Sequence, residues 1–591
     1  MCGIAGLMTR GGAPVDAAVL GRLAKALAHR GPDGEGRHAA RDVGLVQGRL
    51  AIIDLVTGDQ PLYGPGGTVL VANGEIYNYV ELRAAMGDVA FATKSDCEPP
   101  LHLYGRHGLD YAKHLRGMYA IAIHDPAKDL LVLSRDPFGI KPLCYVETDA
   151  GFAFASEPQA LIAAGLVAAA IDPDKRDELL QLQFTTGADT IFRGITRLLP
   201  GETIAVKGGR IVERRRLAAL PEGGPVAIDE EAALARLDAV LEDSVRVHQR
   251  ADVPYAMFLS GGIDSTAVLA MMARLNQRPV TAFTAYFPGT EARDEREFAK
   301  AAVAATGAHH VEVPFGEDDF WTLLPEVAAA MDEPAADYAT LPSYKLARAA
   351  AADFKVVLSG EGGDEMFAGY GRYRDAIRPW WWFGKAMRRR GAFEGLGVLR
   401  REPERWRDGI AAAERDARRD GRSKLQQAQA TDCADWLPND LLTKLDRCLM
   451  ANALEGRTPF LDPEIAKFAF TLPDGLKLRD ELGKWLLRRW VHERVPAAEA
   501  FARKRGFTVP VGEWIAARGP ELGDLVARQP AIEAIAIPGA VRALYANPVG
   551  RRGFACWVLL FYALWHARHI EGRALGGNAF DALDAGAAVG A

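Results

Sequence analysis

At 591 residues the chain is too long to fold around one hydrophobic core, and two domains are expected. With 49% hydrophobic and 25% charged residues it has the make-up of an ordinary soluble globular protein. A net charge of −6 argues against a nucleic-acid binder, because the compact basic runs are short, Arg214-Arg215-Arg216 and Arg388-Arg389-Arg390.

The six cysteines (Cys2, Cys97, Cys144, Cys433, Cys448, Cys556) include no CxxC pair. Neither a zinc site nor a disulfide framework is expected, and the pattern suits a cytoplasmic protein in a reducing compartment. No apolar segment reaches the roughly 18 residues of a membrane span, and the N-terminus lacks a signal-peptide pattern, so no membrane partner is expected.

In chain order, Cys2 directly follows the initiator methionine. Removal of that methionine would leave one residue carrying both a thiol and an α-amine. The amine's reference pKa, roughly 7.7 to 8.0, suits it to act as general base for its own thiol. Apolar runs at 44–46, 50–55, 69–72, 119–124, 130–133 and 152–155 predict many short strands, with a helix near 15–29. Cys97 and Cys144 read as core residues. Between about 200 and 229 the chain turns rich in glycine, proline and charge, which sets a first domain over 2–205, a linker over 206–229 and a second domain over 230–572.

Helical periodicity resumes over 230–249. Strands at 255–259, 280–287, 310–313 and 355–358 then alternate with helices at 266–275, 295–306 and 340–352. This alternation predicts a parallel sheet that binds its ligand at the carboxyl ends of the strands. The first of these strands breaks into Leu259-Ser260-Gly261-Gly262-Ile263-Asp264-Ser265 and reopens as a helix with Val268, Met271, Met272 and Leu275 on one face. The N–H groups at Gly261 and Gly262, at the positive end of that helix, make a phosphate site to which Ser260 and Ser265 add hydroxyls. No lysine ends the loop as in a Walker sequence. It carries Asp264 instead, and a carboxylate beside a polyphosphate implies Mg²⁺ between them. A second acidic glycine loop, Ser359-Gly360-Glu361-Gly362-Gly363-Asp364-Glu365, follows the strand at 355–358. Two such loops at strand ends of one sheet can enclose ATP and its magnesium.

Behind Cys2 stand His29-Arg30-Gly31-Pro32-Asp33-Gly34, Gly48-Arg49-Leu50-Ala51-Ile52-Ile53-Asp54, Asn73-Gly74-Glu75-Ile76-Tyr77-Asn78, Ser95-Asp96-Cys97-Glu98 and Arg135-Asp136-Pro137-Phe138-Gly139. Over roughly residues 2 to 200 this series resembles the class II glutamine amidotransferase domain. With the two loops, Glu455-Gly456-Arg457-Thr458-Pro459-Phe460-Leu461-Asp462 and Arg503-Lys504-Arg505-Gly506-Phe507, the chain resembles the glutamine-hydrolysing asparagine synthetase family. The resemblance implies an α+β N-terminal nucleophile αββα sandwich, followed by an α/β parallel-sheet ATP pyrophosphatase-like domain with a helical C-terminal extension. It implies an enzyme that hydrolyses glutamine to ammonia and amidates an adenylated carboxylate, releasing AMP and pyrophosphate. Cys2 would be the nucleophile, with Asn73 and the Gly74 N–H as oxyanion donors. Arg49 would hold the glutamine α-carboxylate, and Asp96 with Glu75 its ammonium. Leu259, Ser260, Gly261, Gly262, Asp264, Ser265, Ser359, Gly360 and Lys504 would bind ATP. Asp264 and Asp364 would hold Mg²⁺, and Glu361 would serve the acyl-adenylate. An apolar passage between the sites would keep ammonia unprotonated.

One stretch leaves the acceptor open. Residues 332–342 stand where the best-known members carry a threonine- and arginine-containing segment for aspartate, and no arginine lies here. Aspartate leads, while carboxylates on sugars, peptides or other metabolites stay in play. Two further readings, a scaffold without activity and a glutaminase whose second domain only senses ATP, each predict no AMP. Asp446 is left between a helix-surface charge and a pocket acid. Trp380-Trp381-Trp382-Phe383 reads as helix packing or an interface, the run at 554–565 as a buried core helix, and 573–591 as a disordered tail. The oligomeric state is open, a homodimer among the options.

Overall fold

A computed structural model describes residues 2–290, 296–378, 386–502 and 509–587. Lys504, with the rest of the 503–507 motif, and the tryptophans at 380–382 lie outside the described residues.

The first 216 residues carry strands β1 (Gly3–Thr9), β2 (Gly34–Ala40), β3 (Val43–Arg49), β4 (Leu62–Tyr63), β5 (Val69–Ile76), β6 (Gly117–Asp125), β7 (Leu130–Arg135), β8 (Cys144–Thr148), β9 (Gly151–Ala155), β10 (Thr196–Arg197), β11 (Glu202–Lys207) and β12 (Arg210–Arg216). They form two antiparallel sheets, ordered β10-β8-β9-β1-β3-β2 and β12-β11-β7-β6-β5-β4. Successive strand residues face opposite sides. On β1, Ile4 and Met8 join Val69 and Val71 of β5 and Ala120 and Ala122 of β6 in one buried layer between the sheets. Ala5 and Leu7 face outward onto helix α1 (Ala17–Leu27), packing against its Leu20, Leu23 and Leu27. Leu70, Ala72, Ile121 and Ile123 of the second sheet pack outward on Leu101, Leu103 and Tyr104 of the helix Pro99–His107. This is the expected four-layer sandwich, with both faces of the central strands β1, β5, β6 and β7 buried.

Two expectations are corrected here. The boundary at 205 would cut a hairpin, since β11 and β12 pair from Glu202↔Arg216 to Lys207↔Arg210. The polar run of β12 looked like a linker because it is the edge strand, and charged side chains are what a solvent-facing edge carries. Residues 50–55 form a loop, not a strand: Asp54 adopts φ 55° and the backbone turns to the second domain, with Asp252 N–H donating to Ile52 O (2.9 Å) and Asp252 Oδ2 accepting from Asp54 N–H (2.8 Å).

The second domain opens with helix α2 (Glu230–His248), capped by the Asp229 side chain. Strands β13 (Tyr255–Phe258), β14 (Thr281–Tyr286), β15 (His309–Pro314) and β16 (Val356–Leu358) lie within a residue or two of their expected places. They form a parallel sheet of order β15-β14-β13-β16-β17, whose last member, β17 (Glu455–Arg457), the sequence pattern did not disclose. At three residues with charged ends it has no apolar period. Helix α3 (Ile263–Leu275) follows β13, α4 (Leu442–Met450) leads to β17 and α5 (Trp485–Arg494) lies beyond it. Helix α6 (Arg551–His569) carries the apolar run, buried without a gap from Ala555 to Trp565. The tail is corrected too: Ala579–Ala587 is a helix that buries Ala579, Ala582 and Leu583 against the core. Its small residues fit a close helix contact, which composition alone reads as disorder.

Candidate active sites

Cys2 and Asn73 share the parity of the inward-facing residues on β1 and β5, and the two sheets bring them together. The Cys2 backbone N–H donates to Asn73 Oδ1 (3.2 Å), while Asn73 Nδ2 is buried and has no partner among the described residues. A buried, unsatisfied amide donor beside a thiol is suited to receive an oxyanion. Burial pushes the Cys2 thiol up, and a hydrogen bond from the Leu50 backbone pulls it partly back. Gly74 has φ 155°, and a Cβ there would meet Met118 O at 2.1 Å, so only glycine fits against β6.

The register places Gly3 opposite Gly48, which makes Cys2 and Arg49 the next residues along the ladder. Arg49 holds the exposed carboxylate of Asp59 (2.6 Å) and the carbonyl of Asp54 (2.5 Å). Asp96 Oδ2 accepts from Ile76 N–H (2.7 Å); burial raises its carboxyl to about 6, against that hydrogen bond. Burial, followed by the charges of Asp96 and Glu455, holds Glu75 well above the carboxylate range, and Arg457 opposes the shift.

The second centre lies at the strand ends β13 and β16. Gly261 takes φ 70°, Gly262 caps α3, and the Ser265 hydroxyl accepts from Ser260 N–H (3.2 Å) and donates to Gly262 O (3.1 Å), fixing the loop. Leu259 N–H donates to Phe283 O (2.8 Å). The loops touch: a Cβ on Gly360 would meet Ser265 N at 2.9 Å, and one on Gly363 would meet Asp264 Oδ1 at 2.3 Å. Asp264 and Asp364 converge on the Lys484 ammonium, Asp364 Oδ1 at 2.9 Å and Asp264 Oδ2 in direct hydrogen bond. Two carboxylates gathered on one cation fit the usual protein share of a Mg²⁺ site, in which substrate phosphates and water supply the rest. Glu361, between these acids and α4, is raised by burial and drawn back by Lys444.

Lys484 was missed by sequence reasoning. It belongs to no motif, and only its place directly before an apolar helix hints at it; in the structure it caps α5 with φ 62°. Asp446 proves to be neither a surface charge nor a pocket acid. Buried on α4, it binds Arg30 of the first domain through both oxygens (2.8 and 2.9 Å), and Arg30 Nε donates to Cys2 O (3.2 Å). Arg457 makes a second crossing. It pairs with Glu455 (2.6 Å) and Glu75 (3.3 Å), while its carbonyl accepts from Ser359 N–H (2.9 Å).

The asparagine synthase family matches residues 236–567 and the glutamine amidotransferase domain family matches residues 1–216. The chain belongs to the glutamine-hydrolysing asparagine synthetases. A Mycobacterium tuberculosis (strain ATCC 25618 / H37Rv) protein provisionally named as such is 35% identical over 619 aligned residues, covering 94% of each chain. Asparagine synthetase (glutamine-hydrolyzing) 1 of Bacillus subtilis strain 168 is 30% identical, covering 97% of this chain and 98% of its own. An amidase of Penicillium rubens is 31% identical over 58% of this chain and 54% of its own. As a member of this family the chain is an ATP-using carbon–nitrogen ligase with glutamine as nitrogen donor. Among the described residues, no helix is long and apolar enough to cross a membrane.

Proposed function

We propose that the chain moves the amide nitrogen of glutamine to a carboxylate activated by Mg-ATP, with aspartate as the acceptor and asparagine as the product. The observation that carries this reading is β17, which lies between the sites: its Arg457 side chain reaches Glu75 beside Cys2, and its carbonyl holds the Ser359 loop.

In the first site Cys2, freed of Met1, attacks the glutamine amide carbon, its own amine taking the thiol proton. Asn73 Nδ2 and the Gly74 N–H receive the oxyanion. Asp96 and Glu75 hold the ammonium, and Arg49 exchanges Asp59 for the substrate carboxylate. Ammonia leaves, and water frees glutamate from the thioester. In the second site Ser260, Gly261, Gly262, Ser265, Ser359 and Gly360 seat ATP at the α3 N-terminus. Asp264 and Asp364 would hold Mg²⁺, which neutralises the departing pyrophosphate. Lys484 keeps the two acids together, and Lys504 is assigned to the phosphates. The acceptor carboxylate attacks the α-phosphorus and pyrophosphate leaves. Ammonia then attacks the acyl carbon, Glu361 accepts its proton, and AMP leaves. The apolar core running from Leu50, Ile52, Met118 and Ile140 into Leu358, Leu445 and Leu449 supports an ammonia passage across the seam.

The test is mass spectrometry of purified protein with glutamine, Mg-ATP and aspartate. Asparagine formed in step with AMP and glutamate is expected, and glutamate without AMP would overturn the reading. The same chemistry on another carboxylate is a second reading, favoured by the arginine-free stretch 332–342.

A further inference from the structure

The segment 332–342 lacks a cation of its own, and the structure brings three to it: Arg197 to Glu333, and from α4 Arg447 to Asp332 (2.6 Å) and Lys444 to Asp337. Lys444 Nζ, almost fully buried, donates to Asp337 Oδ2 (2.8 Å). Burial works against that ammonium, but Asp337, Glu361 and Asp440 face it and hold its pKa above the ordinary lysine value. Lys444 therefore stands between the acceptor segment and the acid of the second loop.

Lys444 heads a polar stripe. Trp436, Asp440 and Lys444 recur every four residues, across a π-helical turn at Leu437–Leu441 that runs directly into α4, so the three share a face at intervals of roughly 6 Å. Such a turn inside a helix frequently marks a functional site. Asp440 is fully buried, and neither carboxylate oxygen has a partner among the described residues. The Arg388 guanidinium lies 3.7 Å over the Trp436 ring, with Nε and Nη2 buried and likewise unpartnered. Asp337, Lys444, Arg388 and Arg372 are the charges that face Asp440. Burial depresses Arg388 to about 10 and drives Asp440 far above the carboxylate range. Buried donors and acceptors left open on one face call for a ligand that supplies the opposite set.

We propose that this stripe is the acceptor subsite and that it selects a free α-amino acid: Lys444 takes the reacting carboxylate beside Glu361, Asp440 the ammonium, and Arg388 the second carboxylate. An acceptor lacking either end group leaves a buried polar group without its partner, which is the strongest form of rejection available to such a site. The proposal rests on the reading of the second domain as an adenylating site.

Acceptor-dependent pyrophosphate release tests it, with aspartate, succinate (no ammonium) and β-alanine (no second carboxylate), in the wild type and in Asp440→Asn, Arg388→Gln, Lys444→Met and Lys444→Arg. Asp440→Asn is isosteric, and a thermal melt matching the wild type checks its fold. The wild type should use aspartate and reject both analogues. Asp440→Asn should raise the aspartate KM by about 10- to 100-fold and narrow the preference over succinate. Arg388→Gln should do the same toward β-alanine, and Lys444→Arg should recover part of what Lys444→Met loses. Aspartate turnover with KM within twofold of wild type in Asp440→Asn and Arg388→Gln overturns the subsite and leaves the adenylating reading standing. Turnover of another free amino acid in place of aspartate, weakened by the same variants, overturns the aspartate assignment and upholds the subsite. Turnover of succinate alone overturns both, and pyrophosphate release with no acceptor at all overturns the adenylating reading itself.

Discussion

Cys2, directly before β1, and Asn73 on β5 face inward from two regular strands, whereas Asp264 and Asp364 stand in first helical turns, and Glu361 in a loop, just beyond the ends of strands. The strands leave the first site open for its reaction, with Asn73 Nδ2 waiting and Gly74 pressed against β6 so that its N–H cannot turn away. The loops hold the second site in a closed balance of charge, in which Lys484 occupies the acids that ATP and its metal would reorganise. A site for a zwitterion can be preformed by rigid backbone. A site for a polyanion needs acids for its metal, and those acids need a cation whenever the metal is away.

The sharpest way to separate the two sites is Cys2→Ala. Glutamine-dependent amidation should vanish while added ammonium restores AMP formation, measured as product and AMP together; loss of both activities would mean that the sites do not work independently. Asn73→Ala should lower kcat for glutamine by about 100- to 1,000-fold with little change in KM, as expected for a donor used only by the oxyanion. Lys484→Met leaves two acids facing each other, and ATP–pyrophosphate exchange should fall by about 100-fold, with partial recovery in Lys484→Arg.

Arg457→Gln crosses the comparison. It takes the guanidinium from Glu75 and Glu455 in the buried seam, so a loss of roughly 3 kcal/mol in stability and a weakened glutamine KM are expected from a residue outside the first domain. Unchanged glutaminase kinetics would dismiss the crossing as packing. The smallest effect is in pH. Asp96 titrates near 6 and must be ionised to attract an ammonium, so the glutamine kcat/KM should decline as pH falls through that value. Asp96→Asn should start lower and flatten the decline.

Much of this was legible before the structure. Gly74 and the two glycine loops announce themselves because the backbone they need, left-handed or closely approached, restricts the residues that fit, and Cys2 and Asn73 because the chemistry needs a thiol beside an α-amine and an amide donor. What stayed hidden acts at long range. Lys484, Lys444 and Arg457 each reach a carboxylate 100 or more residues away, and no local period marks those pairings. The loop at 50–55 reads as a strand because Leu50, Ile52 and Ile53 are indeed buried, but against the other domain. The hairpin at 202–216 and the helix at 579–587 were lost for the converse reason: edge charges and small residues imitate linker and tail.

The bidentate Arg30–Asp446 pair carries a consequence for anyone who would divide the molecule. Expressed alone, residues 1–216 would keep every group assigned to glutamine, yet Arg30 would keep only Glu157 (2.6 Å) of its two carboxylate partners, and Glu75 would lose the Arg457 guanidinium of β17. A severed amidotransferase half should therefore be a poor, acid-sensitive hydrolase. Adding the missing half in trans, rather than any small molecule, should be what revives it.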